Sequence, residues 1–382
     1  MKGKVEIGRR DFLQAASLGA VGAGLLSTLP SSGIAGAPSS RGPDHDDLAR
    51  QQADREAAYN FAQDLFLTMD DLDAQKWISF FSPDVLGQDP ILGEIPQLFG
   101  VTGTLGAAIE CSLTPAATYE AFAAFIMGRV GRPGRFIKCP YVTGNVNFGI
   151  VADIHPLAGS FFSVGVDCIS MMTIRNGKIV RRADYYDTAE LAGVDVNIVH
   201  ANNTPRFSCL AGPPPGDTAN ASHEMLEFTH SLHDALSSGQ AHRVLPFFAD
   251  DALLIHPLLY SDTSPVLSVG TGGYGPFNRG IQIRGRQAIA RFFGAVLPLL
   301  PDGKSSSLVH IIGGATGGGY EWLAGGLYSQ QGIARTGISG GTSVDLFGGT
   351  IRRMHVKFDT LQMTPQQRVA VQQELTRLDL VA

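Results

Sequence analysis

The sequence predicts an α+β fold made of two tandem domains, and three observations support this prediction. Residues 69–90 have a counterpart at 236–257, and both segments contain a Phe-Phe-x-x-Asp motif followed by an x-Pro strand pattern. Residues 179–188 align without a gap with residues 351–360. In each copy helical patterns come first and strand patterns follow, which is the order of an α+β domain. A repeat this long indicates a duplicated domain, because solenoid units recur every ~20 to 50 residues.

Length and composition agree with two domains. A chain of 382 residues exceeds one ordinary domain, since most domains hold roughly 100 to 150 residues. With 44% apolar and 17% charged residues, the chain can bury two cores and is not disordered. The net charge of −6, with no basic cluster beyond the N-terminus, argues against a nucleic-acid partner.

The N-terminus has the pattern of a secretory signal peptide. Two lysines precede Arg9-Arg10, an apolar stretch covers residues 15–29, and small residues follow at 33–37. The paired arginines resemble the twin-arginine export motif, which predicts transport to the periplasm. We therefore expect residues 1–37 to be removed and the mature chain to have no stable membrane insertion. An uncleaved N-terminal anchor is the alternative.

Turn residues and changes of periodicity divide the rest of the chain. A run of Pro213-Pro214-Pro215-Gly216 among polar residues indicates an interdomain linker. The predicted order is a flexible leader at 38–50, a first domain at 51–200, a Pro/Gly-rich linker at 201–222, a second domain at 223–361 and a C-terminal helix at 362–382.

In the first domain, apolar residues at helical spacing predict helices at 51–67 and 118–130. Strand patterns follow at 161–174 and 178–186. The Asn176-Gly177 pair between them predicts a hairpin turn, because both residues tolerate the positive φ that such a turn requires.

In the second domain, the same reasoning predicts helices at 223–236 and 285–296 and a strand at 252–256. Glycine-rich strands are predicted to continue to residue 360. The glycines between 313 and 341 are predicted to form bulges and tight hairpins, because no Gly-Lys-Ser/Thr follows them as in a phosphate-binding loop.

The chain has four cysteines, namely Cys111, Cys139, Cys168 and Cys209. An even number in an exported protein permits disulfides. Twin-arginine export carries cargo that has already folded in the cytoplasm, and Cys168 lies in an apolar strand pattern. We therefore predict free, buried thiols.

Several motifs resemble the NTF2-like superfamily, in particular its ketosteroid-isomerase-like and SnoaL-like members. They share the Phe-x-x-Asp corner, the x-Pro strand and an Ile-Arg-Gly-Arg helix start, and they lie at 81–84, 88–90, 248–252, 256–257 and 283–293. The resemblance covers nearly all of residues 51–360. It implies two cone-shaped domains, each with a curved antiparallel sheet wrapped on helices. It also implies an apolar pocket and proton transfer without a cofactor, although one fold hosts many chemistries.

Asp89 is the first candidate for chemistry. The resemblance places it where ketosteroid isomerases carry their general base, an Asp directly before Pro. A carboxylate that faces an apolar cone is desolvated, which makes it a better base at neutral pH. His256 has the same position in the second copy, and an imidazole accepts protons near neutrality. The alternatives are a solvated turn acid at Asp89 and a structural strand histidine at His256.

Two departures from the family pattern argue against a steroid isomerase. The family's helix-borne tyrosine falls at Leu65 and Leu232, and its second, protonated carboxyl falls near Ser170. The usual oxyanion hole is therefore absent. Ser170 and Tyr59 are retained as candidate substrate-binding residues, although Tyr59 also fits a core position.

The last strand of each copy provides an internal comparison. Met354, Val356 and Phe358 alternate along one apolar face in the second copy, and their partners in the first copy are Arg182, Asp184 and Tyr186. A face that is apolar in one copy and polar in the other indicates a pocket in the polar copy. Asp184 and Tyr186 are therefore candidate proton donors. The alternative is an Arg182–Asp184 ion pair on an exposed face.

No metal or cofactor is predicted. Glu227, His230 and His233 follow one another at i, i+3 spacing, whereas zinc-binding helices more often use i, i+4 with a distant third ligand. The sequence contains no nucleophile elbow, Cys/His pair or dinucleotide-binding fingerprint.

Together these patterns predict a cofactor-independent acid–base enzyme, with lyase as the preferred class and isomerase as the second. The substrate would be an apolar cyclic or aromatic alcohol that undergoes elimination, dehydration or retro-aldol cleavage. Asp89 or His256 would accept the proton, and Asp184 or Tyr186 would supply one. The pocket walls would be phenylalanines, namely Phe80, Phe122, Phe125, Phe292 and Phe293.

Two other hypotheses remain open at this point. One is a non-catalytic periplasmic protein that binds a hydrophobic small molecule, and the other assigns one domain a scaffold role. The sheet face that carries Arg353, His355 and Lys357 is predicted to be an oligomer interface, which implies a homo-oligomer assembled through sheet faces.

Overall fold

The computed structural model describes residues 45–88, 137–156, 168–186, 220–259, 282–297, 307–324, 328–329, 332–333, 338–358 and 365–378. Several predictions lie outside these residues, namely the signal peptide, most of the leader, most of the linker, the helix at 118–130, and the residues Asp89, Phe122, Phe125, Cys111 and Cys209.

The described residues of the first half form two helices and a five-stranded sheet. The helices are α1 (His45–Asp70) and α2 (Ala74–Ile78). The strands are β1 (Phe81–Gln88), β2 (Ile137–Asn145), β3 (Gly149–Pro156), β4 (Cys168–Arg175) and β5 (Lys178–Tyr186). Their order in the sheet is β1-β5-β4-β3-β2, with β1 parallel to β5 and the other neighbours antiparallel.

The second half contains a six-stranded sheet. Its helices are α3 (His223–Ser237), α4 (Ala241–Val244), α5 (Arg286–Val296) and, near the C-terminus, α6 (Pro365–Arg377). Its strands are β6 (Phe248–Ile255), β7 (Gln282–Arg284), β8 (Ser307–Gly314), β9 (Gly317–Ala324), β12 (Ile338–Phe347) and β13 (Thr350–Phe358), and a separate two-stranded ribbon joins β10 (Tyr328–Ser329) to β11 (Gly332–Ile333). The sheet order is β7-β6-β13-β12-β9-β8.

The two sheets repeat one plan. The order β6-β13-β12-β9-β8 matches β1-β5-β4-β3-β2 strand for strand. Phe81 lies opposite Ile179 in one parallel pair, Phe248 lies opposite Ile351 in the other, and an irregularity in register follows both. The predicted α+β fold with two tandem sheet-and-helix domains is therefore confirmed.

Some details differ from the sequence prediction. Each sheet is mixed, because the chain returns through a meander of antiparallel strands and its last strand then points the same way as the first. Helix α1 begins at His45, inside the predicted leader, because no Gly or Pro interrupts residues 45–70. The Asn176-Gly177 hairpin is confirmed, with φ values of 52° and 70°.

Each half has its own apolar core between its helices and one face of its sheet. In the first half α1 contributes Ala58, Ala62 and Leu65, which lie on one side of the helix because they are three or four residues apart. These side chains belong to the same apolar cluster as Cys168 and Met172 of β4. We call this helix-facing side of each sheet its inner face and the opposite side its outer face.

The outer faces of the two sheets pack against each other. A third apolar cluster joins residues of both halves, namely Val151, Ile169, Met171, Ala183 and Tyr185 of the first with Val309 and Ile312 of the second. The face predicted to form an oligomer interface is therefore buried within the chain. A homo-oligomer remains a prediction, and it would have to use another surface.

Two buried ion pairs cross this interface. The Arg181 guanidinium donates two hydrogen bonds to the Glu321 carboxylate, with N–O distances of 2.5 and 2.7 Å. Arg353 donates to Asp153, and Nδ1 of His355 lies 2.9 Å from the same carboxylate. All five side chains are buried or nearly so.

The two ion pairs are related by the repeat. The strand registers make Arg353 the counterpart of Arg181, and Glu321 the counterpart of Asp153. Each half therefore gives an arginine to the other half's acid, which is the reciprocal pattern of a two-fold symmetric dimer. The sheets of this single chain pack as two subunits of a symmetric dimer would.

The Glu321 carboxylate is also held by Tyr185, whose hydroxyl is hydrogen-bonded to it. Burial acts to raise the pKa of Glu321, but attraction to Arg181 and hydrogen bonds from its guanidinium lower the pKa overall. Burial raises the pKa of Tyr185 well above its usual value, so this phenol stays protonated and donates.

Glu321→Gln is expected to lower the free energy of unfolding by about 3 kcal/mol, because it leaves the Arg181 charge buried without its counterion. Urea unfolding followed by circular dichroism measures the change. The control is Glu374→Gln, which removes the exposed ion pair with Arg377 and should leave the unfolding midpoint unchanged. Equal effects of the two substitutions would contradict a stabilising role for the buried pair.

Candidate functional site: a buried polar cluster on the inner face of the first sheet

Three polar side chains form a hydrogen-bonded cluster on the inner face of the first sheet. The Arg182 Nε and Nη2 atoms donate to the two carboxylate oxygens of Asp184 at 3.0 and 2.7 Å. Nε of Arg182 also lies 3.1 Å from the Ser170 hydroxyl oxygen. The exposed fractions are 8% for Arg182, 2% for Asp184 and 0% for Ser170. We call these three residues the inner polar cluster.

The strand register explains why the three side chains meet. Ser170 of β4 lies directly opposite Asp184 of β5, and Arg182 is two residues away on β5, on the same face. Their neighbours on this face are apolar, and Cys168 and Met172 flank Ser170 along β4. An ionised pair is therefore held against an otherwise apolar core.

The inner polar cluster corrects one interpretation made from the sequence. The predicted alternative was an Arg182–Asp184 ion pair on an exposed face. The pair exists, but it is buried on the inner face. The polar residues of the first copy's last strand therefore lie on the inner face, and the pocket inferred from them stays a prediction.

The second half has no such cluster at the corresponding positions. The counterparts of Ser170, Arg182 and Asp184 are Thr342, Met354 and Val356 in the register of β12 with β13. Met354 and Val356 belong to the apolar core. A buried charge on an inner face costs stability unless it is paired. The difference therefore points to a role in the first half other than packing.

The cluster has a defined chemical capacity. Arginine carries five N–H donors and stays charged, while Asp184 supplies the compensating negative charge. A guanidinium fixed by a carboxylate is preorganised to donate hydrogen bonds to a ligand's oxygen atom. Because the pair has no net charge, it suits a neutral ligand with a hydroxyl or carbonyl group.

His256 occupies a different environment on the inner face of the second sheet. Its ring lies 4.8 Å from Phe292, 6.4 Å from Phe293 and 5.7 Å from Phe358, measured between ring centroids. Its Nδ1 atom accepts a hydrogen bond from the backbone N–H of Leu258 at 3.3 Å. These contacts agree with the alternative interpretation of His256 as a structural histidine.

Burial, and then repulsion from His355, lower the pKa of His256 from 6.5 to about 3. The imidazole is therefore neutral at physiological pH, and it is a weak base. This finding differs from the expectation that His256 accepts protons near neutrality. The surrounding aromatic rings, which exclude water, explain the difference.

The remaining candidates are placed as follows. Asp89, Phe122 and Phe125 lie outside the described residues, and Tyr186 ends β5 with its side chain also outside them. Tyr59 is 46% exposed, which does not favour a place in a buried pocket wall.

The three described phenylalanines lie in or beside the cores. Phe80 is half-buried and stacks edge-on with Phe61 at 5.5 Å. Phe292 and Phe293 are fully or almost fully buried beside His256. A pocket-wall role for any of these phenylalanines remains a prediction.

Sequence reasoning missed the residues that join the two sheets. Asp153, Tyr185 and Glu321 were assigned no role, although a signal was present. Aligning strand β3 with strand β9 places Asp153 and Glu321 at one position, and an acid kept on both outer faces would have indicated a shared ionic contact.

Two further observations concern the described residues alone. Among them, no group of three or more His, Cys, Asp or Glu side chains is arranged to hold a metal ion. In the same parts of the chain, no helix has the length and apolar character needed to cross a membrane. Cys139 and Cys168 are buried thiols outside any disulfide, which agrees with the prediction for these two of the four cysteines.

Comparison with known proteins gives fold-level likenesses only. No protein-family model and no curated protein matches the chain. Similar solved structures include a steroid delta-isomerase from Pseudomonas aeruginosa, with 9% identity over 41% of this chain and 93% of that one, at a TM-score of 0.27. An NTF2-like protein of unknown function from Mesorhizobium loti has 10% identity over 36% of this chain and 93% of that one, at a TM-score of 0.24.

A third similar structure is a protein with a cystatin-like fold from Silicibacter pomeroyi, with 13% identity over 41% of this chain and 87% of that one, at a TM-score of 0.27. These TM-scores are low. The fold assignment therefore rests on the strand order and registers of the chain itself, and no activity is transferred from these structures.

The low pKa of His256 predicts a pH dependence of stability. Above pH 6.5 the imidazole is neutral in both the folded and the unfolded state. As the pH falls from 6.5 towards 3, the unfolded chain binds a proton that the folded chain does not, so stability is lost. Between pH 7.5 and pH 5, wild type is expected to lose roughly 2 kcal/mol more than His256→Asn, whose amide oxygen can still accept from Leu258.

Urea unfolding of both proteins at the two pH values measures this difference. Equal losses in wild type and in His256→Asn would mean that His256 is protonated in the folded protein, and that its environment is more polar than the structure indicates.

Proposed function

We propose that the protein is a cofactor-independent acid–base enzyme whose working site lies on the inner face of the first half. The preferred reaction class is a lyase that acts on an apolar cyclic or aromatic alcohol. The observation that carries this proposal is the inner polar cluster of Arg182, Asp184 and Ser170, buried in an otherwise apolar face. The resemblance of the sequence motifs to NTF2-like enzymes supports the same reaction class.

The repeat supports a place for the proton acceptor. Asp89 directly follows Gln88, which lies opposite Ala183 in the β1–β5 pair. Its counterpart His256 directly follows Ile255, which lies opposite His355, and its side chain reaches the inner face beside Phe358. The position of Asp89 in the repeat therefore supports its assignment as the proton acceptor that works with the inner polar cluster.

The proposed elimination assigns one role to each group. Asp89 removes a proton from the carbon next to the alcohol carbon, the C–O bond breaks, and the hydroxyl leaves as water after it takes a proton from Tyr186. Tyr186, the counterpart of Phe358, is assigned the donor role because Asp184 is already paired with Arg182. Arg182 donates hydrogen bonds to the substrate oxygen as charge develops there.

The second half is proposed to support the first rather than to catalyse a reaction. Its inner face is filled by aromatic and aliphatic side chains, and His256 is too weak a base at neutral pH. Export to the periplasm, suggested by the twin-arginine motif, is part of the same proposal.

A non-catalytic carrier of a hydrophobic small molecule is the second candidate. One observation favours it: both Asp184 carboxylate oxygens are engaged by Arg182, which leaves this acid less available for proton transfer. A carrier would use the same inner polar cluster to hold a ligand oxygen without changing the ligand.

Native mass spectrometry of the mature protein, incubated with aromatic, terpenoid and polyketide alcohols, separates the two candidates. A bound species lighter by one water or by formaldehyde supports the lyase. In that case Asp89→Asn should lower kcat by about 10²- to 10⁴-fold while ligand affinity is kept. A ligand that is bound unchanged by wild type would support the carrier and contradict the lyase.

The location of the site is tested by two matched substitutions. Ser170→Ala removes a hydroxyl that is hydrogen-bonded to Arg182. It is expected to weaken binding of an alcohol that wild type binds in the mass-spectrometry experiment about tenfold, equivalent to ~1.4 kcal/mol. Thr342→Ala removes the hydroxyl at the same register position in the second half and should leave the affinity unchanged. Titration followed by tryptophan fluorescence measures both affinities. A larger effect of Thr342→Ala would place the site in the second half.

A further inference from the structure

The contact between the two outer faces depends on glycines of the second half that receive larger side chains of the first. A Cβ atom added at Gly341 would lie 2.6 Å from Cδ2 of Tyr185 and 3.1 Å from two further atoms of that ring. The three atoms nearest to this added Cβ atom all belong to Tyr185. The ring of Tyr185 therefore occupies the space that a side chain at position 341 would need.

A second such contact lies where the two halves meet at equivalent positions. A Cβ atom added at Gly319 would lie 2.6 Å from the backbone oxygen of Thr342 in its own sheet, and also 2.6 Å from Cγ2 of Val151 and 3.1 Å from Cε of Met171 in the first half. The strand registers make Gly319 the counterpart of Val151. A residue that touches its own counterpart lies close to the pseudo-two-fold axis that relates the halves.

Replacing the second half by another first half would destroy both contacts. The counterpart of Gly341 is Ile169, so Tyr185 of one copy would meet a branched side chain where only a glycine fits. At the axis, Val151 would meet a second Val151 in place of Gly319. Overpacking of this kind costs about 1 to 3 kcal/mol at each site.

Pairing two second halves would have the opposite defect. Gly319 would face Gly319, and the space now filled by Val151 and Met171 would be left without apolar side chains. At the other contact, Lys357 replaces its counterpart Tyr185 and would lie over Gly341. Unfilled space in a packed interface is destabilising, because the atoms around it lose their contacts.

The two reciprocal ion pairs do not make this distinction. A pair of first halves would still place Arg181 against Asp153, and a pair of second halves would still place Arg353 against Glu321. These two ion pairs therefore form in every combination.

A third ion pair does distinguish the partners: Arg55 of the first half binds Asp345 of the second at 2.5 Å, and the counterpart of Asp345 is Thr173, so Arg55 would lose its acid in a pair of first halves. The shape of the two faces acts together with this third pair to decide which partner is accepted.

We propose that the outer face of the first half specifically recognises the outer face of the second half and rejects a second copy of itself. The partner that fits is the second half of this chain, in the same molecule or in another copy. Specificity arises from the clash and the void that the wrong pairs create. This inference goes beyond the proposed function and does not depend on it.

The test uses the full-length folded protein with a specific protease-cleavage sequence inserted after Gly216 in the predicted linker. After cleavage, ¹⁵N-labelled and unlabelled samples are mixed and analysed by native mass spectrometry. Mixed-label pairs of one first half with one second half are expected, with pairs of first halves below about one tenth of that amount, which corresponds to ~1.4 kcal/mol of discrimination. Separation into free halves, or equal amounts of all pairs, would contradict the proposal.

Two designed changes sharpen the test. Val151→Ala with Ile169→Gly removes the two clashes and keeps a methyl group on each side of the axis, so pairs of first halves should appear after cleavage, at several times their wild-type level. Gly341→Ala is expected to lower the unfolding midpoint in wild type and to have no effect in a Tyr185→Ala background, where the ring is absent. Pairing unaffected by the Val151→Ala and Ile169→Gly changes, or an equal effect of Gly341→Ala in both backgrounds, would overturn the assigned mechanism.

Discussion

The pairing of two arginines with two acids across the sheet–sheet interface is the constraint on which the rest of the structure depends. Arg181 binds Glu321 and Arg353 binds Asp153, and all four charges are removed from water. A buried charge without its counterion is strongly destabilising, so a shift of one sheet over the other would leave both arginines unpaired. The sheets can therefore pack in one relative position, with the smaller apolar contacts following from it.

Strand β5 transmits this constraint to the candidate site. Its outward-facing residues Arg181 and Tyr185 both bind Glu321 of the second half, and between them the inward-facing Arg182 and Asp184 form the inner polar cluster. The backbone of the site is thus fixed at both ends by one carboxylate of the other half. A site held by packed and hydrogen-bonded strands keeps its geometry better than one on a loop.

The two halves share an outer architecture and differ on their inner faces. The first retains a charged pair against an apolar core, whereas the second fills the equivalent positions with Met354 and Val356 and surrounds His256 with aromatic rings. Each half accepts a cost that the other avoids. In the first half, hydrogen bonds between Arg182 and Asp184 offset the cost of burying charge. In the second half, His256 is shielded from water and is therefore a weak base.

The sequence by itself determined the duplication, the α+β class, the hairpin at Asn176-Gly177 and the polar character of the last strand at Arg182 and Asp184, because local periodicity and repeat alignment report these directly. Only the tertiary structure decided which face each residue occupies and what lies opposite it. Asp153 and Glu321 carry no local signal of their arginine partners, which are about 200 and 140 residues away in the chain. The state of His256 was likewise undetermined, because its pKa depends on aromatic residues brought from two separate elements.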